Sequence, residues 1–316
     1  MKLIVAFFKL IRWPNLFFIA LTQSLFYFCV FYSLSTGETH AYRDTLFFLL
    51  MISSVLIAAA GYIINDYFDM QIDAVNKPGK LIVDKVIKRR WAILLHGLFS
   101  MGGIVISGYV SLHTGKWIIL IVNICCVLLL WFYSTYFKKR LLAGNIIISA
   151  LTAWVIIVVY FFAGAGLIDI NGWEQSQYPF DIRKFFKLTM LYAGFAFIVS
   201  LVREVVKDLE DMEGDSKYNC KTMPIVWGIR ATKVFAAVWL VVCIASLFIV
   251  QLYAWQSGWW MSAVFCILFI ILPLVFILQR LYKANKSPDY HRISILIKLV
   301  MLSGILTMIF FSVFSV

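Results

Sequence analysis

The chain has 316 residues, of which 63% are hydrophobic and 14% charged, with a formal net charge of +12. A soluble domain carries about a quarter of its residues as charges, so this chain has too few to cover a water-facing surface. A soluble enzyme, a disordered chain and a free nucleic-acid binder are excluded, and a polytopic membrane protein remains. The mean hydropathy of +0.91 agrees, and the pI near 9.4 then marks basic loops that orient helices, not a nucleic-acid partner.

In chain order, Lys2 to Arg12 reads as a short amphipathic lead-in. The apolar run from Leu16 to Leu34 is long enough to span. No small-residue cleavage site follows it, so it reads as the first transmembrane helix and not a signal peptide. A span needs about 20 apolar residues. By that measure nine helices are predicted, at 14–34, 44–64, 91–112, 117–136, 143–164, 185–203, 232–253, 259–281 and 293–315. The runs are continuous, not alternating, which excludes a strand barrel. The expected fold is all-α, one transmembrane domain over 1–316. With the N-terminus on the cytoplasmic side, 22 of the 28 Lys and Arg fall on inner segments and five on outer ones, as the positive-inside rule requires.

Two inner loops are long, 65–90 and 203–233; the outer loop 165–183 is polar and aromatic and carries no cluster. The six cysteines are scattered with no CxxC pair and read as buried thiols. The four histidines, His40, His96, His113 and His291, have no metal spacing and read as interfacial or structural. Gly102, Gly103 and Gly108 read as close helix-packing positions.

Carboxylates are scarce, so their placement is informative. Nine of the 16 lie in two short segments: Asp66, Asp69 and Asp73; then Glu204, Asp208, Glu210, Asp211, Glu213 and Asp215. Each segment follows an even-numbered helix, on the cytoplasmic side. The spacing Asp66-x2-Asp69-x3-Asp73 repeats as Asp208-x2-Asp211-x3-Asp215. On a helix such offsets fall within roughly 60° of one another, so each triplet forms one carboxylate stripe. Glu204 extends the second stripe, whereas Glu210 and Glu213 point elsewhere.

Stacked carboxylates repel and are costly near a bilayer unless compensated. Oxygen ligands without His or Cys select hard divalent ions, Mg²⁺ or Ca²⁺. Two facing stripes could hold two ions with a diphosphate between them. The plain alternative is a solvated acidic helix end paired with local Lys and Arg. Lys138, Lys139 and Arg140 either contact phosphate or set topology. Arg203 contacts phosphate or neutralises Glu204 and Asp208. Asn65 offers an amide oxygen to a metal or simply ends a helix.

Asn65-Asp66-Tyr-Phe-Asp69-Met-Gln-Ile-Asp73, with Arg203-Glu204 before Asp208-Leu-Glu-Asp211-Met-Glu-Gly-Asp215 and Lys221-Thr-Met-Pro224 after it, resembles the UbiA superfamily of intramembrane prenyltransferases. The resemblance covers essentially the whole chain. Ile72-Asp-Ala-Val-Asn76-Lys-Pro78, Gly144-Asn145 and Arg12-Trp-Pro-Asn15 look like its geranylgeranylglycerol-phosphate geranylgeranyltransferase branch. Lys80-Leu-Ile-Val-Asp-Lys85 departs from the Arg-Pro-Ile-Pro-Ser-Gly-type segment expected there, which leaves acceptor identity open.

The resemblance implies Mg²⁺-dependent transfer of a prenyl group, geranylgeranyl for that branch, from a prenyl diphosphate to a lipid acceptor, geranylgeranylglyceryl phosphate, in ether-lipid synthesis. It implies two Mg²⁺ ions, one on Asn65, Asp66, Asp69 and Asp73, the other on Asp208, Asp211 and Asp215. Lys138 and Arg203 would contact the diphosphate, with Asn65, Asn15 and Asn145 also binding substrate. Lys138 with Asp66, Asp69, Asp208 and Asp211 would be the catalytic set. Lys85–Arg90 would bind an acceptor phosphate. The setting would be the cell's inner membrane, with membrane lipids around the chain and no protein partner evident. An aromatic-acceptor prenyltransferase of quinone or chlorophyll type uses the same metal site. A secondary transporter would place its carboxylates near the midplane on broken helices, not at helix ends. A CDP-alcohol phosphotransferase needs Asp-Gly and Ala-Arg in its first motif, but Met70-Gln71 follows Asp69.

Overall fold

The computed structural model describes residues 2–35, 41–76, 79, 81–163 and 181–314. His40, Lys77, Pro78, Lys80 and the outer loop through residue 180 lie outside the described residues.

The described residues are helical and contain no strand. In chain order the elements are α1 Lys2–Leu10, α2 Trp13–Leu34, α3 Ala41–Phe68 and α4 Met70–Asn76. There follow α5 Arg89–Thr114, α6 Trp117–Thr135, α7 Ala143–Ala163, α8 Ile182–Glu210 and α9 Met212–Lys217. The last are α10 Met223–Val226, α11 Gly228–Gln256, and α12 Trp260–Lys283 and α13 Ser287–Val313. Among the described residues nine helices are long and apolar enough to cross a bilayer, one for each predicted span.

The second and sixth spans run past their predicted ends. The hydropathy ruler stops at the first polar residues, but α3 continues through Asp66 to Phe68 and α8 to Glu210. A helix satisfies its own backbone, so it need not end where the side chains turn polar.

The chain folds as two compact units, one of residues 1–138 with 154–189, the other of 139–153 with 190–316. In the first, α3 is flanked by α5, α6 and α2. Ala6, Leu10 and Ile11 bury against Ala59 and Ile63 of α3, joined by Val83 and Ile87. Of the three packing glycines, Gly103 is the tight one: a Cβ there would meet Ile57 Cγ1 at 2.6 Å and Ser53 O at 3.2 Å. At Gly102 and Gly108 the nearest atoms are 3.5 and 3.9 Å away.

Polar side chains join these helices inside the apolar zone. Ser53 Oγ donates to Gly103 O at 2.8 Å and lies 2.7 Å from Ser107 Oγ. Asn123 Nδ2 donates to Ser107 Oγ at 2.6 Å, and Trp154 Nε1 to Asn123 Oδ1 at 3.1 Å. Such bonds hold helices together where the hydrophobic effect cannot discriminate between partners.

At the N-terminal end of α3, α2 makes a π-helical turn at Phe26–Phe31. Tyr27 there stacks on Phe47 at 3.9 Å and donates to Asp44. Arg43 and Lys116 donate to the carbonyls of Ala163 and Phe162 at 2.6 and 2.5 Å, satisfying the C-terminal carbonyls of α7.

The second unit has a core of valines from α8 with Leu240, Leu274, Ile277, Ile293 and Ile297. Four of the six cysteines are buried as expected, but Cys29 is half-buried and Cys125 exposed. Cys125 and buried Cys126 are neighbours on α6, and successive helical residues point about 100° apart.

Candidate functional site

Both motifs are built the same way. A long apolar helix ends one residue before the middle aspartate, and a short helix begins one residue after it: α3 and α4 around Asp69, α8 and α9 around Asp211. The hydrogen-bond ladder survives each break. Asp69 N–H donates to Asn65 O at 2.9 Å and Asp73 N–H to Asp69 O at 2.8 Å; Asp211 N–H reaches Lys207 O at 2.9 Å and Asp215 N–H Asp211 O at 3.2 Å. The helical register of each triplet therefore persists.

In the first unit, Arg12 Nη2 donates to Asp66 Oδ1 at 2.7 Å. The guanidinium lies over the Tyr62 ring, 5.1 Å from its centroid. Asp69, 3% exposed, accepts from Lys138 Nζ and from Asn65 Nδ2 at 2.6 Å. Burial works against both cations, but the neighbouring charges and hydrogen bonds together, led by Asp66 for Arg12 and by Asp69 for Lys138, more than offset it, so both pKa values are raised. Asn65 Oδ1 is buried and has no hydrogen-bond partner.

In the second unit, Asn145 Nδ2 donates to Asp208 Oδ2 at 2.9 Å. Glu204 accepts from Arg203 at 3.0 Å and Lys207 at 2.7 Å. Arg203 thus neutralises its neighbour, one of the two roles its position allowed. Glu210 Oε1 lies 2.8 Å from His291 Nδ1. Asp215 is buried, and its carbonyl accepts from Cys220 N–H at 2.9 Å. Asn15 is half-buried in the first turn of α2, its N–H on Arg12 O at 2.8 Å.

Sequence reasoning counted Arg12 as a topological charge and missed its contact with Asp66, 54 residues away. The usable signal was local: Pro14 in the first turn of α2 marks a helix start, so the chain must bend at Arg12. It also set Glu210 and His291 aside, although they pair at the second break.

Among the described residues no three His, Cys, Asp or Glu side chains gather closely enough to hold a metal by themselves. The donor set still fits a hard ion. It is all oxygen, and the buried Asn65 Oδ1 beside Asp69, which has no hydrogen-bond partner, is a donor of the type such an ion takes. Mg²⁺ commonly takes one or two carboxylates, water and substrate phosphate rather than a complete protein cage.

An all-α integral membrane protein with paired Asp-rich helix breaks defines a class, the intramembrane prenyltransferases. The chain belongs to the UbiA prenyltransferase family, which matches residues 24–302. It is similar to the digeranylgeranylglyceryl phosphate synthase of Methanosphaera stadtmanae, with 28% identity over 84% of this chain and 86% of that one. The synthase of the same name from Methanoregula boonei is 31% identical over 71% of each chain. Among solved structures, a digeranylgeranylglyceryl phosphate synthase in membranes superposes with a TM-score of 0.61 at 23% identity, covering 98% of this chain and 99% of that one. A UbiA homologue from Archaeoglobus fulgidus bound to DMAPP and Mg²⁺ gives 0.59 at 16% identity, covering 96% and 98%.

Proposed function

We propose that this prenyltransferase moves a geranylgeranyl group from its diphosphate to geranylgeranylglyceryl phosphate, in ether-lipid synthesis, at the cytoplasmic face of the cell's inner membrane. The observation that carries the reading is the first motif, where a buried asparagine oxygen without a partner adjoins a buried aspartate clamped by a lysine. The names of the synthases at 28% and 31% identity support the acceptor. The family match runs through both compact units, which supports one transferase domain.

Asn65, Asp66, Asp69 and Asp73 hold one ion, and Asp208, Asp211 and Asp215 the other. Bound Mg²⁺ supplies positive charge for the departing diphosphate. Lys138 adds a point charge to the phosphate oxygens, and Arg203 a second. Asn145 keeps Asp208 oriented, and Asn15 lies close to Arg12 at the start of the first span. The C1–O bond of the donor breaks to give diphosphate and an allylic cation, which survives only where water is excluded. The acceptor hydroxyl oxygen attacks C1 and releases its proton. The segment Lys85–Arg90, exposed except for Ile87, binds the acceptor phosphate. Unchanged acceptor KM in a Lys88→Ala/Arg89→Ala variant would sink that role.

The departure at Lys80–Lys85 favours testing an aromatic acceptor alongside. Purified protein would receive Mg²⁺, geranylgeranyl diphosphate and either geranylgeranylglyceryl phosphate, 4-hydroxybenzoate or a naphthoate. Transfer to the glyceryl phosphate, lost with EDTA and in Asp66→Asn and Asp211→Asn, is the expected result. Transfer to an aromatic acceptor alone would overturn the branch and keep the family.

A further inference from the structure

Arg12 is a backbone outlier. Its φ is 51° and ψ 52°, a left-handed conformation that strains any residue with a Cβ and that glycine adopts freely. The joint between α1 and α2 is two residues long, and Pro14 fixes where α2 begins. Glycine would make that bend without strain, so the arginine side chain needs another explanation. Strain of this kind concentrates at functional sites.

The side chain is firmly placed. α1 is anchored by Ala6 and Leu10 against Ala59 and Ile63 of α3, the helix that carries Asp66. The guanidinium is fixed between the Tyr62 ring and Asp66 Oδ1. With Lys138 on Asp69, two of the three aspartates in the first set already hold protein cations.

On the reading proposed above, we infer that Arg12 is the resident counter-ion of Asp66 and competes there with the divalent ion. The competition keeps the first carboxylate set from loading metal alone. A diphosphate changes the balance because its own negative charge draws the guanidinium off Asp66. Metal and prenyl diphosphate then enter the first set together, which prevents an ion from sitting there without the group it must neutralise.

The test is Mn²⁺ binding to detergent-purified protein without diphosphate, followed by electron paramagnetic resonance. The proteins are wild type, Arg12→Gly and Arg12→Lys, each also with Asp66→Asn. Removing a unit charge next to the ion should tighten Mn²⁺ binding on the order of tenfold or more in Arg12→Gly. Arg12→Lys should stay near wild type, and the glycine effect should vanish in the Asp66→Asn background. Thermal unfolding of Arg12→Gly checks its fold, and Arg12→Gln replaces it if it does not fold. Unchanged or weaker Mn²⁺ binding in the folded Gly or Gln variant overturns the inference, even where wild type binds Mn²⁺ with geranylgeranyl diphosphate. Absence of Mn²⁺ binding in every protein, with and without geranylgeranyl diphosphate, removes the metal reading itself and this inference with it.

Discussion

Asn145 donates its side-chain amide to Asp208 at 2.9 Å, linking the first turn of α7 to the first aspartate of the second motif across 63 residues. A neutral donor on one carboxylate oxygen fixes the rotamer without adding a competing charge. Partners of this kind typically change metal affinity or activity by about 10–100-fold when removed. Asn145→Ala should therefore raise the Mg²⁺ concentration needed for half-maximal rate by about tenfold or more. Rates measured against Mg²⁺ check this, and an unchanged Mg²⁺ dependence would refute it.

Lys138 is the cation on the buried Asp69 carboxylate. Lys138→Met removes it and leaves a charge that Asn65 alone must satisfy. Breaking a buried pair from one side is strongly destabilising, and partial solvent access to the lysine brings the expected loss to about 2 kcal/mol. A lower unfolding temperature together with a lower kcat is expected. Asp69→Asn in the same background should recover part of the stability but none of the activity.

The contact at Gly103 makes the α3–α5 packing sensitive to one methyl group. With a Cβ 2.6 Å from Ile57 Cγ1 and 3.2 Å from a backbone oxygen, Gly103→Ala should cost about 1–3 kcal/mol, the range for overpacking. Gly102→Ala, with its nearest atom at 3.5 Å, should unfold close to wild type. Thermal unfolding of the two variants side by side distinguishes them.

Lys116 gives a pH signature. Burial pulls its ammonium from the ordinary 10.5 down to about 8, and Arg43 pushes the same way. Between those values the unfolded chain binds more protons than the folded one, so stability rises with pH across that window. Below about 8 the lysine is charged in both states, and the full cost of burying the ammonium remains. In Lys116→Met this contribution is absent. The stability of wild type relative to the variant should therefore improve from pH 7.5 to 10. A difference in unfolding temperature that stays flat over that range would contradict the shift.

The sequence read most of the architecture. Each predicted span corresponds to a helix because hydropathy is summed over a window, and a residue misjudged at one end barely changes the sum. Span ends were less legible. α3 and α8 carry charged residues on intact helical backbone, which composition alone reads as loop. The repeated triplet placed the carboxylates because helical spacing is a local property, and the breaks at Asp69 and Asp211 leave the ladder intact.

What the sequence by itself determined is therefore the set of spans, the two carboxylate sets and the family. What only tertiary structure decided is which partner each carboxylate meets. Arg12 finds Asp66, Lys138 finds Asp69 and Asn145 finds Asp208 over 54, 69 and 63 residues of chain. Contacts at that separation are set by how the apolar faces of packed helices fit together, and no local pattern of residues encodes that fit.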